Sequence, residues 1–206
     1  MRVKNSQKSR EDILKAAEIE FSEKGIYGAR INEIAQKAKI NIRMIYEYYG
    51  SKEDLYKAVL VEIYSRLGRM ETLLLSEKKP SIDIIKDIIK LYFYYLEDNP
   101  TYVNLLLWEN LNKGRYIQET DLSGTRNDSF SRLREIIDTG KAEGTIKADV
   151  DTEQMITSLL MYPFSYFSNK YTLSRLFGKS PDDRGNIERS IKNLTEMILT
   201  YITDHK

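Results

Sequence analysis

An all-α fold is predicted by three features of the 206-residue sequence. Apolar residues recur at three- and four-residue steps over long stretches. Strand-like alternation is nearly absent. Helix-breaking residues are few, with 4 Pro and 10 Gly. With 41% hydrophobic and 31% charged residues, the chain also has a globular rather than a disordered composition.

About nine helices are expected. The first spans about 9–24, with Ile13, Leu14, Ala17 and Phe21 on one face; Ser9 with Asp12 resembles a capping box, and Gly25 is a C-terminal stop. A short helix follows at 31–38, with a turn at Lys39 and Ile40. Asn41 can cap a second short helix, 42–49, which Gly50 ends. Ser51 then caps a long helix whose apolar stripe is Leu55, Val59, Ile63, Leu67, Met70 and Leu74. Lys78 to Ser81 breaks it. Further helices are expected at about 81–97, 100–112, 125–143, 151–177 and 184–204, with Pro163 kinking the fourth of these. Three short helices, a long connector and a helical body make a two-part chain, in which the first part is too small to bury much surface alone.

Composition excludes several function classes. Cys is absent, so disulfides, thiol catalysis and Cys-ligated metals are ruled out. No apolar run reaches the roughly 18 residues of a membrane helix. Residues 1–10 hold four bases and no acid, with no apolar stretch after them to form a signal peptide, so a cytoplasmic protein is expected. The one His, His205, lies beside the C-terminus and cannot build a triad or a His-rich metal site. No Gly-rich phosphate loop is present, and the acidic residues are scattered. No catalytic residue, metal site or cofactor is expected.

Net charge is +1, but it is unevenly spread: residues 1–57 hold 12 Lys and Arg against 9 Asp and Glu, and the other 149 hold 20 against 22. The positive end is the end that can meet phosphates. There, residues 25–60 read GIYGARINEIAQKAKINIRMIYEYYGSKEDLYKAVL. Two short helices joined by a three- or four-residue turn form a helix-turn-helix, in which the second helix lies in the DNA major groove. Ile42, Ile45, Tyr46 and Tyr49 fall at helical spacing, with Ile45 and Tyr49 the best inward candidates. Arg43, Met44, Glu47 and Tyr48 then point away. Arg43 can donate twice to guanine O6 and N7, and Glu47 can accept from cytosine N4. Tyr48, Lys52 and Arg30 suit phosphate contacts. On spacing alone the same face also reads as ordinary solvated surface.

The segment resembles the TetR family of transcriptional regulators. The resemblance is carried by Ile13-Leu14-Lys15-Ala16-Ala17, Phe21, Gly25, Ile34-Ala35, Ile45-Tyr46, Tyr48-Tyr49 and Ser51-Lys52-Glu53-Asp54-Leu55, over about 50 residues with almost no change in spacing. It implies that Arg30, Asn41, Ile42, Arg43, Met44, Tyr46, Glu47, Tyr48 and Lys52 meet DNA. At Ile42 and Tyr46 it overrides the periodicity, which places both in the core. Three positions depart from the family pattern. Ala29-Arg30 stands where a Thr or Ser often caps the second helix, Lys39 replaces the usual turn Gly, and Asn41 replaces the usual Ser.

The resemblance further implies a DNA-binding domain at 8–68 and a ligand-binding and dimerisation domain at 69–206. The chain is then expected to be a homodimeric regulator of a double-stranded DNA operator, a repressor released by a small-molecule effector. The alternative is an activator, or a regulator controlled by a protein partner without a small ligand. Dimerisation through the last two long helices makes Ile187, Ile191, Leu194 and Ile198 the candidate interface stripe, with packing inside one subunit as the alternative. The chain has 15 Tyr and 6 Phe, and Tyr92, Tyr95, Trp108 and Phe130 are the pocket candidates. An aromatic stripe serves equally as core, and further aromatics lie between Tyr162 and Tyr171.

Overall fold

The computed structural model describes residues 2–123, 127–178, 180 and 184–204; His205 lies outside them, as do the first residues of the helix expected at 125–143. Among the described residues there are eleven helices and no strand. They are α1 (Arg2–Gly28), α2 (Ile31–Ala38), α3 (Ile42–Tyr49), α4 (Lys52–Leu75), α5 (Ser81–Asp98), α6 (Pro100–Leu111), α7 (Arg115–Gln118), α8 (Asn127–Ala142), α9 (Thr152–Ser168), α10 (Lys170–Phe177) and α11 (Arg184–Ile202).

Three boundaries differ from the sequence reading. α1 begins at Arg2, so Ser9 lies within the helix instead of capping it. The short α7 occupies part of the stretch expected to be a break; the buried carboxylate of Glu109 accepts from the N–H groups of Tyr116 and Ile117 and so makes its first turn possible. Pro163 lies inside α9, and the expected 151–177 helix divides at Asn169. Other signals hold. Ser51 Oγ accepts from the N–H of Asp54 at 3.0 Å and donates to its carboxylate at 2.6 Å, a reciprocal cap on α4. Gly25 leaves the helical region at φ 64° and ψ 175°.

The chain packs as two compact units. The first takes residues 1–66 together with 101–123; the second takes 67–100 and 124–206. This division falls close to the expected boundary at 68, but it gives 101–123, expected in the body, to the unit that holds the helix-turn-helix.

In the first unit Ile13, Ala17, Phe21, Ile34, Ile45, Leu55, Tyr56, Leu60 and Ile63 form the buried core. The ring of Tyr56 stands edge-on to Phe21 and to Tyr116, with centroids 5.0 and 5.3 Å away. Trp108 belongs here. It donates from Nε1 to the carbonyl of Ser22 at 3.2 Å and covers Gly25, where a Cβ would sit 2.8 Å from the ring. Gly25 is thus required twice, by its positive φ and by the indole above it.

In the second unit α5 is central, packing against α8, α9 and α11. Ile85, Ile88, Ile89 and Phe93 are fully buried along it. The buried line of α4 continues past Leu67 through Glu71 and Leu75, while Met70, expected in the stripe, is exposed. Glu71 is accommodated because the hydroxyl of Tyr92, itself buried, donates to its carboxylate at 2.9 Å.

Candidate DNA-binding surface

α2 is held by Ile31, Ile34 and Ala35, which pack toward α1. It ends at Lys39 in the left-handed region, φ 55° and ψ 43°, where the N–H groups of Lys39 and Ile40 close back on Gln36 and Ala35. A non-glycine residue adopts that conformation at a cost of about 1–2 kcal/mol. The turn then reverses into Asn41, whose Oδ1 accepts from the N–H of Arg43 at 2.8 Å and starts α3. The capping oxygen is therefore occupied, leaving the amide Nδ2 as the group Asn41 can offer to a phosphate.

α3 buries Ile45 alone among its eight residues. Tyr49 is half-buried, and its hydroxyl donates to the carbonyl of Arg10 at 3.2 Å. Ile42 and Tyr46 are 36% and 48% exposed, so the core position that periodicity gave them is corrected: a helix of two turns resting on one side chain has no room for a second inward stripe. Arg43 and Glu47 are the most exposed pair, and Arg43 Nε donates to Glu47 Oε1 at 3.1 Å across one turn. That bond uses one of the three guanidinium nitrogens and leaves the two Nη groups as donors suited to bidentate recognition. Arg30 is exposed at the N-cap of α2; Met44, Tyr48 and Lys52 are half-buried. All nine candidates lie in the first unit, on α3, its N-cap and the starts of α2 and α4.

Two further residues, one beside this surface and one beneath it, were not singled out from the sequence. The guanidinium of Arg10 lies 5.0 Å from the ring centroid of Tyr48, so α1 adds a cation beside the recognition helix. Glu20, fully buried in α1, accepts from Lys24, Lys37 and the N–H of Arg30. Burial raises the pKa of such a carboxyl, but those three donors outweigh it and hold Glu20 down at about 2. Arg10 closes the basic stretch 1–10, but nothing local ties it to Tyr48, and nothing local marks Glu20, whose partners are brought in by the fold.

The body candidates fall differently. Tyr92 and Tyr95 are buried on α5, and Phe130 is half-buried on α8. Trp108 lies in the first unit, against Gly25 and Ser22. A cavity of about 590 Å3 in the second unit opens among α9, α10 and α11, with Tyr162, Tyr166, Leu173 and Phe177 in its wall. Tyr92, Tyr95 and Phe130 do not line it. Ile187, Ile191, Leu194 and Ile198 are buried within the chain itself on α11, which packs against α5, so this stripe contributes to the core of the second unit. On α9 and α11 the exposed large apolar side chains are Met161, Met197 and Tyr201.

Residues 13–59 match the profile of bacterial regulatory proteins of the tetR family, and residues 80–198 match that of the tetracyclin repressor-like C-terminal domain. The chain is 32% identical to the HTH-type transcriptional repressor NicS of Pseudomonas putida over 205 residues, covering 99% of this chain and 93% of that one. Its fold is similar to that of HlyIIR, a hemolysin II transcriptional regulator, with a TM-score of 0.63 and 25% identity over 92% of this chain and 98% of that one. It is also similar to FadR from Bacillus subtilis, solved in complex with stearoyl-CoA, with a TM-score of 0.67 and 19% identity over 93% and 98%. A helix-turn-helix with an exposed recognition face and matches to both domains of one family lead to a single assignment: the chain belongs to the TetR family and is a DNA-binding transcriptional regulator.

Proposed function

We propose that the protein is a homodimeric repressor that reads its operator through α3 and is released by a small molecule bound in the second unit. The observation that carries the DNA-reading part is the exposed Arg43, held at Nε by Glu47 with both Nη groups free of protein partners among the described residues. Arg43 then reads guanine O6 and N7. Glu47 serves as its support, in place of the cytosine contact expected for it. Arg30, Tyr48 and Lys52 position the head on the phosphates, joined by Arg10. Two copies of α3 facing successive major grooves stand about 34–36 Å apart.

Repression is supported by the relative NicS, a transcriptional repressor. An effector is supported by the cavity of about 590 Å3 in the second unit, within the usual size range of small-molecule sites. Its effect requires different affinities for the DNA-bound and released states. Dimerisation is assigned to the outer faces of α9 and α11, at Met161, Met197 and Tyr201.

A gel-shift titration with the duplex upstream of its own coding sequence tests the reading. Arg43→Ala is expected to weaken binding by about 1–3 kcal/mol and to relax preference at one base pair. Unchanged affinity removes Arg43 from the interface. A small molecule that raises the melting temperature and also reverses the shift identifies the effector.

A further inference from the structure

Glu20 has no exposed surface, yet it carries a charge in the middle of α1. Its Oε1 accepts from Lys24 Nζ at 2.8 Å and from the backbone N–H of Arg30 at 3.3 Å, and its Oε2 accepts from Lys37 Nζ at 2.8 Å. A buried carboxylate is costly unless its oxygens are paired, and an apolar residue of similar size would fill the same space without that demand. The partners show what the charge does. Lys24 lies one turn along the same helix, but Arg30 is the N-cap of α2 and Lys37 is in its last turn. No side chain of α2 caps its own N-terminus. In a capping box the N–H of the N-cap residue is taken by an acid three residues on, here Glu33; in this protein it is taken by Glu20 from another helix. One carboxylate of α1 thereby ties both ends of α2.

We propose that Glu20 is a positioning residue for DNA binding: it fixes the backbone of Arg30 and the last turn of α2 from α1, and so sets how Arg30 meets the phosphates. The inference rests on the reading that α2 and α3 face DNA.

Charge counting and positioning predict opposite signs for Glu20→Gln. Removing a negative charge from a surface that meets phosphates strengthens binding and steepens its salt dependence. Losing the tie to Arg30 weakens binding and lowers the salt slope by about one, the amount carried by a single phosphate contact. The full-length protein is titrated by fluorescence anisotropy against an upstream duplex that the parent protein shifts, at salt concentrations from about 50 to about 200 mM. Thermal unfolding is followed for each variant. Glu20→Gln is expected to bind at least about fivefold more weakly, with the flatter slope. Combined with Arg30→Ala, it is expected to cost little beyond Arg30→Ala alone, because both remove the same contact.

Binding that is unchanged or tighter in Glu20→Gln, or losses that simply add in the double variant, overturns the proposal. If Glu20→Gln does not fold, Glu20→Asp decides: it keeps the charge but is one methylene too short to hold both ends of α2. It is expected to show the same loss, and parental affinity in it overturns the proposal. Arg43→Ala separates the two readings. If it too leaves affinity unchanged, the DNA-facing surface is wrong; if it weakens binding while Glu20→Gln does not, only the positioning role fails.

Discussion

Glu20 and Arg43 show how far single side chains depend on what holds them. Arg43 is oriented by an exposed intrahelical pair with Glu47, worth only about 0.3–0.5 kcal/mol, so its precision must come largely from the DNA it meets. Glu20 is the reverse case, a carboxylate fixed by Lys24, Lys37 and the Arg30 N–H, with Glu23 standing 3.7 Å from Lys37 on the other side. Its pKa of about 2 in the folded protein lies below the ordinary 4.5, so the folded state favours the charged form. The stability it contributes is therefore complete above pH 4.5 and is lost as pH falls from there toward 2. Urea unfolding at a series of pH values checks this. The advantage of the parent over Glu20→Gln is expected to shrink through that window, and parallel curves for the two proteins would show that Glu20 gains nothing from its charge.

At the level of elements, caps and spacing made most of the chain legible. Ser51 with Asp54, Asn41, and the Asn99-Pro100 break mark helix ends through short-range chemistry, and the structure places ends there. Replacing Ser51 by Ala removes both bonds of the α4 cap and is expected to lower stability by about 1 kcal/mol, read as a shift in urea midpoint at constant slope. Where the reading missed, the cause lay beyond the local chain. α7 depends on a carboxylate from α6, Glu109. The buried line of α4 runs through Glu71, which an apolar pattern passes over because its partner Tyr92 is on α5. The candidate surface on α3 was nearly complete in the sequence, since its residues are consecutive. Arg10 and Glu20 were not, since they reach it across tens of residues. Trp108 likewise gives no sign in the sequence that its partner is Gly25.

For the molecule as a whole, the unresolved distinction in the sequence was between an apolar stripe that closes a subunit and one that joins two. Ile187, Ile191, Leu194 and Ile198 have ideal spacing for either purpose, and periodicity cannot separate them. Burial does: Leu194 is 2% exposed within a single chain, whereas Met161, Met197 and Tyr201 each keep about half their surface. Those three line a groove of about 630 Å3 with Met155, Leu194 and Ile198 at its base, between helices that both pack on α5. A second copy laid along this groove would bury the exposed methionines and complete a four-helix arrangement. The two kinds of position then respond differently to a charge. Leu194→Asp places a carboxylate in the core and is expected to unfold the second unit, at a cost of several kcal/mol. Met197→Asp adds its charge in solvent, so the chain is expected to stay folded by circular dichroism and to sediment as a monomer. A monomer holds one half-site, and its affinity for a two-half-site operator is expected to fall by about 100-fold or more through lost avidity alone. A Met197→Asp protein that remains dimeric would move the interface away from this groove.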